Sequence, residues 1–219
     1  MNIWDNAFAI EIIPILLQGL WLTVQITFFS FLISLVVGLL VAIIRFLRIP
    51  VVSHIFDFYV SFIRGTPLLV QAYVAYFVLP QVGLTFEVLA TGIVVLGLNY
   101  SAYTAEVYRA GIEQLPKGQW EAARALSLPP LRTWFRIVVP QAVRPIIPVL
   151  GNYLIMMFKD SAILSSITII ELMGTALQIG SNFYRYLEPI TIAGLMYLII
   201  SFPCSLLIRR LEHRFVPTH

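Results

Sequence analysis

Long uncharged apolar stretches dominate this chain and predict helices that cross a membrane. A helix needs about 20 predominantly apolar residues to span the hydrocarbon core of a bilayer. Four stretches of about this length carry no charged residue: 19–44, 65–86, 88–105 and 189–208. A fifth, 145–170, is apolar except for Lys159 and Asp160 in its interior. The pattern therefore predicts an all-α integral membrane protein with about five transmembrane helices.

The composition of the 219 residues supports this prediction. Hydrophobic residues make up 59% of the chain and charged residues 11%, with a mean hydropathy of +0.89. An ordinary soluble domain has about 25% charged residues, and a chain of this length cannot enclose so much apolar surface in one aqueous core. The composition excludes a typical soluble enzyme, a disordered protein and a module that binds nucleic acid. The single cysteine, Cys204, excludes an internal disulfide framework.

The basic residues predict the orientation of the helices. With five spans, Lys159 lies within the bilayer, Arg185 falls on one face, and the other twelve of the 14 Lys and Arg residues share the opposite face. The twelve are Arg45, Arg48, Arg64, Arg109, Lys117, Arg124, Arg132, Arg136, Arg144, Arg209, Arg210 and Arg214. Positively charged loops stay in the cytoplasm, so the N-terminus is predicted outside and the C-terminus inside. We expect no cleavable signal peptide, and residues 1–219 are predicted to form one transmembrane domain.

Small and polar residues form a stripe along the first predicted span. They recur at helical spacing, at Gly19, Thr23, Thr27, Ser30, Ser34 and Gly38. Helices in lipid associate through such small and polar faces, so helix packing is the favoured interpretation of the stripe. A face that lines a pore is the alternative.

Polar groups inside several spans predict a hydrated cavity between helices. Gln71 and Asn99 lie within two apolar stretches, and each needs a hydrogen-bond partner or water at membrane depth. Lys159 and Asp160 are adjacent, and neighbouring residues of a helix point in different directions. At least one of the two is therefore expected to have a partner on another helix, on a second subunit or in a substrate. A structural ion pair at a helix interface is the other possibility.

The only sizeable loop covers residues 109–144 and is predicted to be cytoplasmic. Pro116 and Gly118 are start signals for a short helix that contains the alanine-rich run 121–126, and Pro129 and Pro130 end it. The helix is too short to cross a bilayer. Its alanines give a low-profile surface that another protein can approach closely.

The spacing within this loop resembles the signature of binding-protein-dependent ABC importer permeases. In that family the pattern is E-A-A, three residues, Gly, nine residues, Ile, one residue and Leu-Pro. This chain keeps the spacing, with Glu121-Ala122-Ala123, Ile137 and Pro140, but has Ser127 for the glycine and Val139 for the leucine. The runs 64–71, 117–119 and 159–161 are similar to the polar amino-acid branch, of the histidine, glutamine and arginine type.

The resemblance implies the permease subunit of an ATP-driven importer for a small zwitterionic solute. A polar amino acid is the favoured solute, and a compatible solute such as ectoine is the alternative. It implies a multi-pass protein of the bacterial cytoplasmic (inner) membrane. Its implied partners are a second permease subunit, identical or paralogous, an ABC ATPase dimer, an external solute-binding protein and the lipid bilayer, with no nucleic acid.

The chain is expected to be a transport subunit and not an enzyme. It contains no G-x-x-x-x-G-K-[ST] phosphate loop, so ATP and Mg²⁺ are expected to be used by the partner ATPase, with no cofactor or metal bound here. The residues expected to couple to the ATPase are Gly118, Gln119, Glu121, Ala122, Ala123, Arg124 and Ser127. Those expected in the substrate pathway are Gln71, Asn99, Lys159, Asp160 and Glu171.

A secondary transporter or channel is the competing class. It would show uptake without ATP hydrolysis, and it typically has more spans or an inverted repeat. Five spans with one copy of the loop fit a half-pore that dimerises. For an intramembrane protease, the Ser/His route is unsupported because the histidines lie in predicted loops or the tail. A diaspartyl site would need a pair such as Asp57 and Asp160, but Asp57 lies near the first predicted cytoplasmic connection.

Overall fold

The computed structural model describes residues 4–215, and side chains as far as residue 213, so Arg214 of the basic tail lies outside the described side chains. The described residues are helical almost throughout. Nine α-helices follow one another in this part of the chain: α1 Asn6–Phe46, α2 Val52–Gly65, α3 Leu68–Tyr73, α4 Val88–Glu113, α5 Lys117–Ala125, α6 Pro130–Thr133, α7 Val139–Asp160, α8 Leu172–Phe183 and α9 Leu187–Phe215.

Three of these helices continue into tighter or wider turns. α3 runs on through a π-helical turn, Val74–Val78, and a 3₁₀ turn, Leu79–Val82. The π-helical turn Trp134–Val138 joins α6 to α7. After α7 the chain forms a 3₁₀ helix, Ser161–Ile167. Within the described part of the chain, four elements are long and apolar enough to cross a membrane: Asn6–Phe46, Val88–Glu113, Pro130–Ile167 and Leu187–His213.

The prediction of a single straight span over residues 65–86 is wrong. The chain bends by 106° between Val52–Gly65 and Leu68–Val82, and only the two helices taken together make a fifth candidate span. Pro67 causes the break, because proline lacks an N–H and disfavours helical geometry in the residue before it. Thr66 is accordingly extended, with φ −118° and ψ 140°.

The other predicted spans differ from the helices mainly at their ends. α1 begins at Asn6, because the side chain of Asp5 accepts hydrogen bonds from the N–H groups of Ala7 (3.0 Å) and Phe8 (3.3 Å). α4 starts where the third stretch was predicted to start but continues to Glu113. α8 was not predicted as a separate helix; Glu171 precedes it as its N-cap and accepts a hydrogen bond from Gly174 N at 2.9 Å.

The predicted stripe of small and polar residues on α1 packs against other helices. All six of its residues are buried. Ser30 Oγ donates to the Ile93 carbonyl oxygen at 2.9 Å, and Thr104 Oγ1 donates to the Ser34 carbonyl oxygen at 2.7 Å, which joins α1 to α4. Near the start of α1, Gly19 lies against Thr175 of α8. The packing interpretation is therefore confirmed.

The helices differ in how much of their surface the rest of the chain covers. Within the most apolar stretch of α4, 61% of the residues are buried, against 6% in α9. Leu198, Ile199 and Phe202 are among the exposed residues of α9. α4 is thus a central helix, and α9 offers a face suited to lipid.

Ionic groups gather at both ends of the bundle. At one end, Arg45 of α1 pairs with Glu106 of α4 (2.5 Å) and Asp57 of α2 (2.6 Å). At this end the Phe46 ring also packs edge-to-face on Trp134, and Trp134 in turn packs on Trp120 of α5. We therefore call it the α5 end. At the opposite end, Arg185 pairs with Glu188.

Candidate functional site

A cavity of about 420 Å³ with polar and apolar lining residues lies where the break between α2 and α3 faces α4 and α7. This volume is within the range of pockets that hold small molecules. The lining residues come from three parts of the chain: Arg64, Gly65, Thr66, Pro67 and Leu68 at the break, Asn99, Tyr100 and Tyr103 on α4, and Tyr153, Met156 and Asp160 on α7.

The cavity contains one cation and one carboxylate. The guanidinium carbon of Arg64 lies 5.5 Å from the centroid of the Tyr103 ring. Asp160 Oδ2 accepts a hydrogen bond of 2.6 Å from the Tyr100 hydroxyl. Among the described side chains neither Arg64 nor Asp160 takes part in an ion pair. Both charges are therefore available to an occupant of the cavity.

Three tyrosines form much of the remaining wall. The rings of Tyr100, Tyr103 and Tyr153 contact one another, with centroid distances of 5.8, 6.0 and 6.1 Å. Tyrosine rings attract cations through their faces and offer a hydroxyl at the edge. The wall suits a ligand that combines a positive group with apolar surface.

Amide side chains hold the broken wall of the cavity in place. Gln71 Nε2 donates to the Ile63 carbonyl oxygen at 2.9 Å and to Thr66 Oγ1 at 2.7 Å. Gln71 Oε1 accepts from Asn99 Nδ2 at 3.0 Å. Because the break leaves carbonyl groups without helical partners, Gln71 replaces part of the lost backbone hydrogen bonding.

The structure gathers only part of the predicted substrate pathway. Asn99 and Asp160 line the cavity, and Gln71 lies behind Asn99. Lys159 is exposed on α7 and does not line the cavity. Glu171 is 0% exposed and also lies outside the cavity lining, so an occupant of the cavity does not reach its carboxyl group. The structure thus contains a cavity between helices that is lined by Asn99 and Asp160 but not by Lys159 or Glu171.

Several cavity residues were not assigned to the site from the sequence. The sequence indicates Arg64 as a loop cation, although the run 64–71 that contains it is similar to the polar amino-acid branch. Tyr100 and Tyr153 carry no signal that separates them from other tyrosines of the spans. The position of Tyr100, next to Asn99 in an apolar stretch, was the available clue.

The predicted short helix in the 109–144 loop is present as α5, Lys117–Ala125. The Trp120 ring packs edge-to-face on Trp134 at 5.5 Å, and Gln141 Nε2 donates to Gln119 Oε1 at 3.2 Å. These contacts fix α5 to the chain that leads into α7. α5 is therefore held firmly at one end of the bundle.

Six of the seven predicted coupling residues are exposed: Gly118, Gln119, Glu121, Ala122, Arg124 and Ser127. The seventh, Ala123, is 2% exposed and faces the chain itself. Ala123 cannot contact a partner through its side chain without a change in the packing of α5. Its methyl group supports the helix, and Ala122 presents the open surface.

Ser127, which replaces the family's glycine, has the left-handed backbone that glycine adopts most easily, with φ 50°. The turn is closed by hydrogen bonds from Ser127 N to the Arg124 carbonyl oxygen (2.9 Å) and from Leu128 N to the Ala123 carbonyl oxygen (3.0 Å). The turn after α5 therefore forms with serine in the glycine position.

A helical membrane bundle with a charged internal cavity and a short helix fixed at one end is typical of a membrane transport subunit. Over residues 34–217 the sequence matches the family described as binding-protein-dependent transport system inner membrane component. The chain belongs to this family. The predicted ABC importer permease and its all-α membrane fold are confirmed.

Relatives match along nearly the whole chain. A probable amino-acid ABC transporter permease protein, y4tG, of Sinorhizobium fredii is 43% identical, covering 94% of this chain and 91% of its own length. The arginine transport system permease protein ArtQ of Bacillus subtilis is 39% identical, covering 91% of each. The L-cystine transport system permease protein TcyB of Bacillus subtilis is 36% identical, covering 92% of this chain and 86% of its own length.

Solved structures show the same fold. A crystal structure of an amino acid ABC transporter with histidines superposes with a TM-score of 0.91 and 36% identity, covering 96% of this chain and 99% of its own. An inward-facing structure of the MetNI methionine ABC transporter has a TM-score of 0.72 at 20% identity, covering 92% of this chain and 98% of its own. The second likeness shows the fold alone.

Proposed function

We propose that this chain forms half of the translocation pathway of an amino-acid importer, and that its cavity receives the amino acid on the way through the membrane. The observation that carries the proposal is the unpaired cation and unpaired carboxylate within one small cavity. An amino acid carries one group of each sign on the same carbon atom. The relatives named for arginine and L-cystine transport support this class of solute.

Each of the two charged side chains would bind one charged group of the amino acid. The Arg64 guanidinium would bind the α-carboxylate, for which its planar set of N–H donors is suited. Asp160, oriented by the Tyr100 hydroxyl, would bind the α-ammonium group beside the tyrosine rings. Asn99 is fixed to Gln71 and shapes the wall next to them.

Lys159 would serve the pathway from outside this cavity. It lies on an exposed face of α7 within the candidate span Pro130–Ile167. An ammonium group at bilayer depth needs an acceptor or water. We assign that acceptor to the second permease subunit, identical or paralogous, which would close the open side of the pathway.

The energy for transport would come from a separate ATPase dimer that uses ATP and Mg²⁺. The exposed residues of α5 would dock into it, and closure of the ATPases would move the α5 ends of two permeases together. The basic residues near α5 support a cytoplasmic position for this end of the bundle, at a bacterial inner membrane. The opposite end would then receive solute from an external binding protein.

The charge arrangement is tested in proteoliposomes that contain the complete importer and its binding protein. Uptake of radiolabelled amino acids is measured with ATP, for the unchanged chain and for Arg64→Gln and Asp160→Asn. Each variant removes one charge from the cavity and should reduce uptake by roughly tenfold or more, since a hydrogen bond to a charged group is worth about 1.5–3 kcal/mol. Membrane insertion, measured by immunoblot, should remain.

Matched controls separate the cavity from charge in general. Arg48→Gln and Glu11→Gln remove one charge of each sign at exposed positions outside the cavity lining and should leave uptake unchanged. Equal activity of all four variants would reject the cavity as the amino-acid site. Competition by excess ectoine tests the alternative solute, and accumulation without ATP would support a secondary transporter.

A further inference from the structure

Glu171 lies within the bundle with its carboxyl group fully buried and with no cationic partner among the described side chains. Its hydrogen-bond donors are neutral and come from three helices. They are the Thr23 hydroxyl of α1 (3.1 Å), the Tyr197 hydroxyl of α9 (2.7 Å) and the Gly174 N–H of α8 (2.9 Å). A buried carboxyl group is costly unless it is hydrogen-bonded, and these three hydrogen bonds offset that cost.

Glu171 is also the last residue of the segment that begins at Asp160. Between the two acidic residues the chain forms the 3₁₀ helix Ser161–Ile167, whose Leu164 and Ile167 are 0% exposed. The segment is anchored at one end by the bond from Tyr100 to Asp160 and at the other by the bonds to Glu171. Loosening the second anchor would release the segment that leads back to the cavity.

A second route connects the two carboxyl groups through side chains. The Tyr197 ring, whose hydroxyl binds Glu171, packs edge-to-face on Phe158 at a centroid distance of 5.3 Å. Phe158 is buried in the last turn of α7, two residues before Asp160. The ring that Glu171 holds therefore supports the helical turn that presents Asp160 to the cavity.

We infer that Glu171 is a positioning residue of the pathway: it fixes Tyr197 and the segment 161–171, and through them it sets the position of Asp160. The solute does not touch Glu171. This inference rests on the proposed function only as far as Asp160 is taken to meet the amino acid. The mechanical connection to the cavity can be measured without transport.

Glu188 provides a matched control. It is also buried, at 1% exposure, and its carboxylate accepts a hydrogen bond from Asp5 N at 3.1 Å and pairs with Arg185. It therefore joins the start of α1 to α9 much as Glu171 joins helices within the bundle. Glu188 lies at the opposite end from α5, and neither it nor its partners line the cavity.

Cavity geometry is read out by thiol labelling of the complete complex in nanodiscs. The native Cys204 is replaced by serine, and Met156→Cys places one thiol in the cavity wall. A small charged methanethiosulfonate reagent then reports how open the cavity is. Glu171→Gln and Tyr197→Phe should each change the labelling rate by about fivefold, because losing a net hydrogen bond of about 1 kcal/mol shifts local opening by that factor.

The control and the variants give distinct outcomes. Glu188→Gln should lower thermal stability but leave the labelling rate unchanged. Tyr197→Phe keeps the Glu171 carboxyl group, so it tests the positioning role even if the Glu171→Gln complex fails to assemble. Unchanged labelling in the assembled variants, or an equal change in Glu188→Gln, would overturn the positioning role.

Uptake measurements then connect the position of Asp160 to transport. Glu171→Gln alone should reduce uptake by roughly tenfold, with ATPase activity retained. In an Asp160→Asn background it should add little, because both changes act on one carboxylate. Full additivity would contradict the inference. Normal uptake by Asp160→Asn together with altered labelling in Glu171→Gln would instead reject the proposed function and leave the positioning role standing.

Discussion

The hydroxyl of Tyr100 donates a hydrogen bond of 2.6 Å to Asp160 Oδ2 and so joins α4 to the last residue of α7 at the wall of the cavity. This bond leaves Asp160 Oδ1 without a hydrogen bond from the described part of the chain. Tyr100→Phe should keep the ring contacts and lose the orientation of the carboxylate.

We expect Tyr100→Phe to weaken solute binding by roughly tenfold, as one hydrogen bond to a charged group is worth about 1.5 kcal/mol. The effect should be smaller than that of Asp160→Asn. Concentration dependence of uptake measures it, with Tyr186→Phe as the control at an exposed tyrosine outside the cavity lining. Unchanged half-saturation in Tyr100→Phe would show that the hydroxyl has no part in binding.

Glu106 joins two arginines at the α5 end. Its carboxylate pairs with Arg45 at 2.5 Å and Arg109 at 2.6 Å and is only 20% exposed. Glu106→Gln leaves two cations without their shared partner, and we expect a loss of about 2 kcal/mol, between the values for exposed and buried pairs. Thermal unfolding of the purified complex should show a midpoint lowered by about 4–8 °C.

Glu113→Gln is the control for Glu106. Among the described residues Glu113 pairs only with Arg109, and its side chain is 58% exposed. Such a pair contributes about 0–1 kcal/mol, so the midpoint should hardly move. An equal shift in the two variants would mean that the Arg45–Glu106 pair, which joins α1 to α4, contributes no more to stability than the exposed Arg109–Glu113 pair.

Ala122 and Ala123 are adjacent on α5 but face opposite environments. Ala122→Trp adds a bulky ring to the exposed surface and should weaken ATPase binding by roughly tenfold while the permease stays folded. Ala123→Trp should instead disturb the contact of α5 with its own chain, at a cost of about 1–3 kcal/mol from overpacking. Co-purification with the ATPase and thermal unfolding of the permease distinguish the two effects. Undiminished ATPase binding by Ala122→Trp would reject the docking surface.

Gly38 allows α1 to lie directly against α4. A Cβ atom at this position would lie 2.9 Å from the Ser101 carbonyl oxygen and would also clash with Thr104. Gly38→Val should therefore destabilise the bundle by about 3 kcal/mol or more, at the upper end of overpacking costs. Gly194→Val is the matched control, since a Cβ there meets nothing within 4 Å. Equal yields of folded protein from the two variants would contradict this packing.

Short-range signals predicted much of the fold. Length without charge located the start of α4 at Val88, and proline and glycine signals located α5. These features depend on residues close together in sequence. The direction of the chain after Pro67 depends on contacts made later, such as that of Gln71 with Asn99, so an uncharged stretch was mistaken for a straight span.

The site was harder to predict for the same reason. Arg64 enters the cavity only because the chain turns at Thr66. Pro67 signals a break at this point, but sequence spacing does not give the direction of the turn. The depth of Glu171 follows from the folding back of the segment 161–171, which hydropathy does not describe. For Ala122 and Ala123, nine residues of helix hold too few apolar positions to show which face turns inward.

The bend between α2 and α3 is braced by the side chain of Gln71 in place of a continuous ladder of backbone bonds. The Gln71 amide thereby holds the wall of the cavity that carries Arg64. The long helices around this wall are held by their own packing. If the cavity receives the solute as proposed, substitutions in this short stretch would change which solute fits and leave the long helices unaltered. Diversification of cargo within such proteins would then require few substitutions, concentrated where the chain is least regular.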